Sequence, residues 1–195
     1  MPLILASSSP RRRELLESAA IPFIAQPADV PEVHTPGETP TEFSERLARE
    51  KARAVWQSLP STDGAFVLGA DTIVVVDEHI LGKPTSPGDA ARMLRLISGR
   101  AHLVTTSVCL VRARSAGDLP LEDVRSETTR VIVSPISQEE ISEYVARGEP
   151  MDKAGAYAIQ GIAGRWIPRI EGCYFNIVGL PIHLVYRMLR EHGAL

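Results

Sequence analysis

The chain has little cysteine, no excess of positive charge and no long apolar run, and each lack removes a class of function. Two cysteines stand in 195 residues. Cys109 and Cys173 sit in apolar surroundings without metal-ligand spacing, which argues against a disulfide scaffold or thiolate metal site and predicts reduced core thiols. Lys plus Arg number 21 against 24 Asp plus Glu, a formal net charge of −3. No basic stripe is present, so no specific nucleic-acid partner is expected. A small anion needs only a local cluster and stays open. No apolar run reaches transmembrane length, and Met1–Ala6 carries no positive region ahead of it, so a soluble, cytoplasmic protein without a membrane partner is expected. There is no P-loop, no Asp-x-Asp nucleophile motif, no repeat and no low-complexity tract, which argues against a P-loop kinase or an aspartyl phosphatase. What the chain does have is length and a 44% hydrophobic content, enough for a sizeable core shared by two lobes.

The most informative stretch is Val67-Leu68-Gly69-Ala70-Asp71-Thr72-Ile73-Val74-Val75-Val76. It is apolar and β-branched on both sides of one interruption, the pattern of a buried strand. A carboxylate in such a strand is costly unless something pairs with it or binds it, so Asp71 is the leading candidate for a functional residue.

Leu3–Ala6 reads as a short strand running into Ser7-Ser8-Ser9-Pro10-Arg11-Arg12-Arg13. Ser9 is a natural N-cap and Pro10 a natural first helical residue, with Leu15, Leu16 and Ala19 facing inward. Hydroxyls and guanidiniums then gather at a helix N-terminus, where free N–H groups favour anions and arginine forks match phosphate. A solvated basic first turn is the plainer reading. Asp29 and Glu32 follow in an irregular segment. Thr39-Pro40-Thr41-Glu42 is a capping box for a helix to about Ser58, with Phe43, Leu47, Ala48, Ala52 and Val55 inward. Lys51 falls on or beside that stripe. Two readings fit it: a snorkelling lysine at the core margin, or a cation turned into a cleft.

Asp77-Glu78-His79 reads as a hairpin turn, after which Leu81-Gly82-Lys83-Pro84 holds Lys83 extended beside a glycine that allows close backbone approach. Ser86 caps a helix with Ala90, Met93, Leu94 and Ile97 inward. His102–Val111 is a strand, Arg114–Asp123 a turn-rich connection, and Val124–Val133 a partner strand. Ile136–Ile141 carries a second capping box and a hydrophobic staple for a helix ending near Arg147, with Gly148 after it. Pro150–Gly172 is the least regular stretch, its glycines set among Asp152, Lys153, Tyr157, Gln160, Arg165, Arg169 and Glu171 as if fitted around something polar. Pro181 opens a last helix with Leu184, Val185, Met188 and Leu189 inward.

Taken together, Leu5–Leu16, Glu32, Arg46–Ala52, Gly69-Ala70-Asp71-Thr72 and Leu81-Gly82-Lys83-Pro84 resemble the Maf family of nucleoside triphosphate pyrophosphatases, in the family's order and over almost the whole chain. Asp152–Gly161 and Gly172–Pro181 are similar to its dTTP/UTP branch rather than to the branch acting on 7-methyl-GTP. At one position the chain departs: after Thr105-Thr106 the family places glycine and this chain has Ser107, which predicts a small adjustment at a strand edge.

The resemblance implies one Maf-like domain over residues 1–195. Its fold would be α/β, a mixed twisted sheet with flanking helices and two lobes around a central cleft, Maf/ITPase-like. It implies hydrolysis of dTTP and UTP between the α and β phosphates, giving the monophosphate and pyrophosphate. Modified pyrimidine nucleotides are a broader alternative, and a nucleotide-binding regulator of cell division is another. Ser9, Arg12, Arg13, Lys51 and Lys83 would neutralise the triphosphate. Glu32 and Asp71 would hold a divalent cation, Mg²⁺ foremost. Asp71, or alternatively Glu32, would deprotonate the water, and Gln160 would read the pyrimidine edge. A homodimer is the expected assembly.

Overall fold

Hydrophobic pattern and caps set the order of elements along the chain. The computed structural model describes residues 3–113 and 119–195. Part of the predicted connection from Arg114 lies outside the described residues. The strands are β1 (Leu3–Ala6), β2 (Phe23–Ala25), β3 (Phe66–Val76), β4 (His79–Leu81), β5 (Ala101–Arg112), β6 (Leu121–Ile132) and β7 (Arg169–Glu171). The helices are α1 (Pro10–Ser18), α2 (Pro40–Ser58), α3 (Pro87–Ile97), α4 (Gln138–Ala146), α5 (Tyr174–Val178) and α6 (Ile182–Glu191). The stretch expected to be irregular holds three 3₁₀ turns, Glu149–Asp152, Ala154–Ala156 and Ile162–Trp166. Among the described residues no helix is long and apolar enough to cross a membrane.

The sheet order is β2-β1-β3-β5-β6-β7, with β4 on β3. β1 runs parallel to both β2 and β3, whereas β3–β4 and β6–β7 are antiparallel. The sheet is therefore mixed, as expected. The chain divides into two compact units: Met1–Asp71 with Thr106–Glu127 and Gly179–Leu195, and Thr72–Thr105 with Thr128–Val178. Strands β3, β5 and β6 each contribute residues to both.

In the first unit, Ala6, Ala48, Ala52, Val55, Val67, Cys109 and Val111 form one buried cluster. Helix α2 begins with the predicted capping box, Thr39 and Glu42 each bonding the other's backbone N–H. Its inward residues are small where they meet β3. At Gly69 a Cβ would overlap the Ala48 carbonyl oxygen and lie 2.7 Å from the Ala52 nitrogen. The glycine therefore serves helix-to-strand contact at backbone distance. Burial pushes the Cys109 thiol up to about 12, so it stays protonated and packs as a small apolar group; Cys173 is free and only half-buried. In α1, Ser9 stands at the N-cap without a side-chain cap bond, and Ala19 lies beyond the helix as its C-cap. Ser7 Oγ accepts the N–H of Ser9 itself at 3.2 Å and braces the loop ahead of the helix.

The second unit packs Val74, Leu94, Ile97, Ile141, Tyr144 and Trp166 into its core. Asp77 and Glu78 have φ of 45° and 68°, the left-handed pair that a two-residue hairpin loop needs. Tyr157, read from sequence among groups facing a ligand, is buried here and meets His102, with 2.8 Å between its hydroxyl and His102 Nε2. Among the described residues His102 Nδ1 has no hydrogen-bond partner. Burial pushes the imidazole down to about 4 from its ordinary 6.5.

That shift has a pH signature. Above the ordinary value both folded and unfolded chains hold a neutral imidazole. As pH falls the unfolded chain binds the proton first, so stability declines until the folded value is reached. Between about pH 7.5 and about pH 4.5 the wild type should lose roughly 2–3 kcal/mol more than His102→Gln. Urea denaturation at the two pH values checks this, and equal losses would refute it.

Candidate active site

β1 delivers the chain to α1 through Ser7-Ser8-Ser9, and Arg12 turns back into the fold. Its Nε donates to Gly179 O at 2.8 Å, and its Nη1 to Ala70 O at 2.8 Å and Ser7 Oγ at 3.2 Å. Burial lowers the pKa of this guanidinium and the nearby Asp71 carboxylate opposes that. The expected gathering of guanidiniums is thus divided: Arg12 is buried, Arg11 half-buried and Arg13 exposed. Arg12 fastens the loop to the carbonyl just before Asp71. Ser9 is half-buried.

Lys51 is the node of the first unit. Helix α2 carries it on the buried margin, and its Nζ donates to Asp71 Oδ1 and Glu32 Oε1, each at 2.7 Å. The side chains are 11% exposed for Lys51, 8% for Asp71 and 47% for Glu32. Lys51 therefore does not snorkel to solvent but points its ammonium inward to two acids. A buried ammonium and a buried carboxylate compensate each other only with short, well-directed bonds, and this pair has them. Glu32 adds a second acid from the irregular segment after β2, so two carboxylates converge on one cation.

Among the described residues no group of three or more His, Cys, Asp or Glu is placed to hold a metal ion. The convergence of Glu32 and Asp71 nonetheless fits Mg²⁺ by donor chemistry. That ion commonly takes one or two carboxylates and completes its shell with water and substrate phosphate, without a dedicated protein cage.

Ser107 corrects the expectation of an edge adjustment. β5 lies between β3 and β6 in the sheet order, and Thr106 and Ser107 are fully buried. Ser44 Oγ lies 2.5 Å from Ser107 Oγ, which lies 2.9 Å from Ser126 Oγ; Ser126 in turn donates to Glu45 Oε1 at 2.7 Å. This hydroxyl chain ties α2 to β5 and β6, seven residues before Lys51 on the same helix face. Ser107→Ala strips a partner from the buried Ser44 hydroxyl and the half-buried Ser126 hydroxyl and should cost about 1–3 kcal/mol. A urea midpoint equal to the wild type would show that the chain contributes nothing.

Lys83 and Gln160 belong to the second unit, and both are exposed. No atom crowds a Cβ placed on Gly82, so close packing is not its role; its carbonyl accepts the Gly155 N–H at 3.1 Å. Gly155 has the stricter requirement, a φ of +69° with Val74 methyls 2.9 Å from any added Cβ. Gln160 sits on a turn closed by the Gly161 N–H on Ala158 O at 3.1 Å. Arg165 lies over the Trp166 ring at 4.8 Å and Arg169 pairs with Glu171 at 3.1 Å. Both arginines thus have local partners. Sequence reasoning missed Glu149, whose carboxylate bonds Tyr144 and the Ile162 backbone; only its place after the helix-ending Gly148 hinted at it.

Comparisons with known proteins identify the family and the fold. The family model described as Maf-like protein matches residues 2–192. The chain is 57% identical over 195 residues to a protein of Koribacter versatilis named dTTP/UTP pyrophosphatase, covering 100% of this chain and 96% of that one. It is 52% identical over 191 residues to one of the same name from Symbiobacterium thermophilum, covering 98% and 94%. A structure described as that of the Staphylococcus aureus Ham1 protein superposes with a TM-score of 0.54 at 13% identity, covering 98% of this chain and 100% of that one, and shares the fold. A family match spanning nearly the whole chain, with relatives more than half identical along its length, makes this chain a member of the Maf family.

Proposed function

We propose that the chain hydrolyses dTTP and UTP between the α and β phosphates, releasing dTMP or UMP and pyrophosphate. Relatives that share about half or more of its residues along its whole length carry that name. The observation that carries the reading is Lys51 held at 2.7 Å by both Asp71 and Glu32. A lysine fixed this way is a preorganised positive charge with an acid beside it, the pairing that hydrolysis of a phosphoanhydride needs.

In the proposed reaction a water oxygen bonds to the α-phosphorus. The bond from that phosphorus to the α–β bridging oxygen breaks, and pyrophosphate leaves with that oxygen. Asp71, whose Oδ1 already accepts from Lys51, takes the proton of the attacking water. Lys51 and Lys83 offset the charge gathering on the phosphate oxygens, and Arg13 and Ser9 orient the triphosphate. Arg12 holds the loop that presents them. Glu32 and Asp71 would hold Mg²⁺, which when bound supplies further charge neutralisation. Gln160 offers one donor and one acceptor, matching the O4 and N3–H edge that uracil and thymine share, so a C5 methyl needs only space.

Product analysis tests this directly. With Mg²⁺, purified protein should convert dTTP and UTP to monophosphate and pyrophosphate faster than CTP, dATP, GTP or 7-methyl-GTP, and Asp71→Asn should abolish the conversion. Orthophosphate as the product, or an unchanged rate in Asp71→Asn, would sink the assignment. Pseudo-UTP and 5-methyl-UTP in the same panel measure how far the base range extends.

A further inference from the structure

Glu149 opens the first 3₁₀ turn of the second unit, and the proposed reaction makes no use of its carboxylate. That carboxylate is nevertheless heavily engaged. Its Oε1 accepts the Tyr144 hydroxyl at 3.0 Å and the Ile162 N–H at 3.1 Å. A Cβ added to Gly161 would collide with Oε1 and stand 2.7 Å from Cδ. The carboxylate therefore lies against the backbone of Gly161, the residue after Gln160, and grips the N–H of Ile162, two residues after it. The same segment closes on itself through Gly161 N–H on Ala158 O and Gly164 N–H on Gly161 O, each at 3.1 Å.

The clamp is built on a rigid base. Tyr144 is 1% exposed and packs edge-on against Trp166 with ring centroids 5.2 Å apart. Burial raises the pKa of its phenol, so it stays a neutral donor. The Glu149 carbonyl accepts Lys153 Nζ at 2.7 Å. A buried ring thus fixes the acid, the acid fixes the backbone, and the backbone presents an exposed amide.

We infer that Glu149 is a positioning residue for Gln160, setting discrimination among pyrimidine bases through the turn that carries the amide. The inference rests on the proposed base-reading role of Gln160. A bond from a backbone N–H to an ionised acceptor is stronger and more directional than a neutral one. Base selection by paired hydrogen bonds is lost when the pairing group drifts by a fraction of its bond length.

The test compares kcat/KM for dTTP and dCTP in the full-length wild type, Glu149→Ala, Glu149→Gln, Gln160→Ala and the Glu149→Ala/Gln160→Ala double variant. Loss of Glu149 should lower the dTTP:dCTP ratio on the order of tenfold, mainly through KM. Glu149→Gln, which keeps an acceptor for both donors, should restore most of it. In the Gln160→Ala background, removing Glu149 should change the ratio no further. If Glu149→Ala does not fold, Gly161→Ala displaces the carboxylate while leaving the Tyr144 base intact, and the same comparison applies. A wild-type ratio in Glu149→Ala, with an altered ratio in Gln160→Ala, overturns the clamp alone. An unchanged ratio in Gln160→Ala overturns the base-reading role and the specificity claim with it. An equal fall with and without Gln160 shows that Glu149 does not act through it.

Discussion

Lys51→Met should lower kcat/KM for dTTP by about 10²–10³-fold, the scale of removing one preorganised charge-stabilising group, and should also destabilise the fold. The two effects share one cause. Lys51 Nζ sits 2.7 Å from both Asp71 Oδ1 and Glu32 Oε1, with Asp71 almost entirely out of solvent. Methionine keeps the packing of the stem and removes the charge, leaving a buried carboxylate without its partner, which costs about 3–5 kcal/mol when the partner is fully lost. Half-exposed Glu32 contributes little to that figure because water replaces its partner. The double variant Lys51→Met/Asp71→Asn removes the stranded charge as well and should regain part of the stability while staying inactive. Urea denaturation and pyrophosphate release on the same preparations measure both quantities. Full stability in Lys51→Met would mean that the pair is not the buried node described.

Gly69→Ala should be the most damaging single-methyl change in the first unit. The added Cβ would overlap the Ala48 carbonyl oxygen and lie 2.7 Å from the Ala52 nitrogen. Both are backbone atoms of α2, so no side-chain rotation relieves the clash. The helix must move away from β3 or the strand must bend, at a cost of about 3 kcal/mol, the upper end for overpacking. Ala52 directly follows Lys51, so the shift also pulls the ammonium from Asp71. Activity should fall even at temperatures where the variant is folded. Alanine at Gly82, where a Cβ meets open space, should leave stability close to wild type, and the contrast separates a packing requirement from a general sensitivity to losing glycine.

Much of this arrangement was readable from one dimension. The capping boxes at Thr39 and Ser137 are local patterns with local causes, and both formed. The inward stripe of α2 and the carboxylate inside β3 also stand out, because periodicity and a charge in an apolar run need no partner to be seen. What escaped depends on which strand lies beside which. Arg12 looked like a solvated or phosphate-facing guanidinium, and only the fold brings the Gly179 and Ala70 carbonyls to it. Ser107 looked like a small defect at an edge, yet β5 is an interior strand, where a hydroxyl must find buried partners or be excluded. Tyr157 joined a polar-looking stretch, but its ring fills the core beside His102. Glu149 passed unremarked because a single acid after a helix end carries no pattern; its partners Tyr144 and Ile162 lie on either side along the chain and meet it only once the 3₁₀ turns form.

The proposed function turns on one step, attack of water on the α-phosphorus at the Asp71–Lys51–Glu32 node. The most direct test is single-turnover hydrolysis of dTTP by wild-type protein in oxygen-18 water with Mg²⁺, read by mass spectrometry of both products. One labelled oxygen should appear in dTMP and none in pyrophosphate, and Asp71→Asn should yield neither product. Label in pyrophosphate, or dTDP with labelled orthophosphate, would place the attack on a different phosphorus and contradict the account.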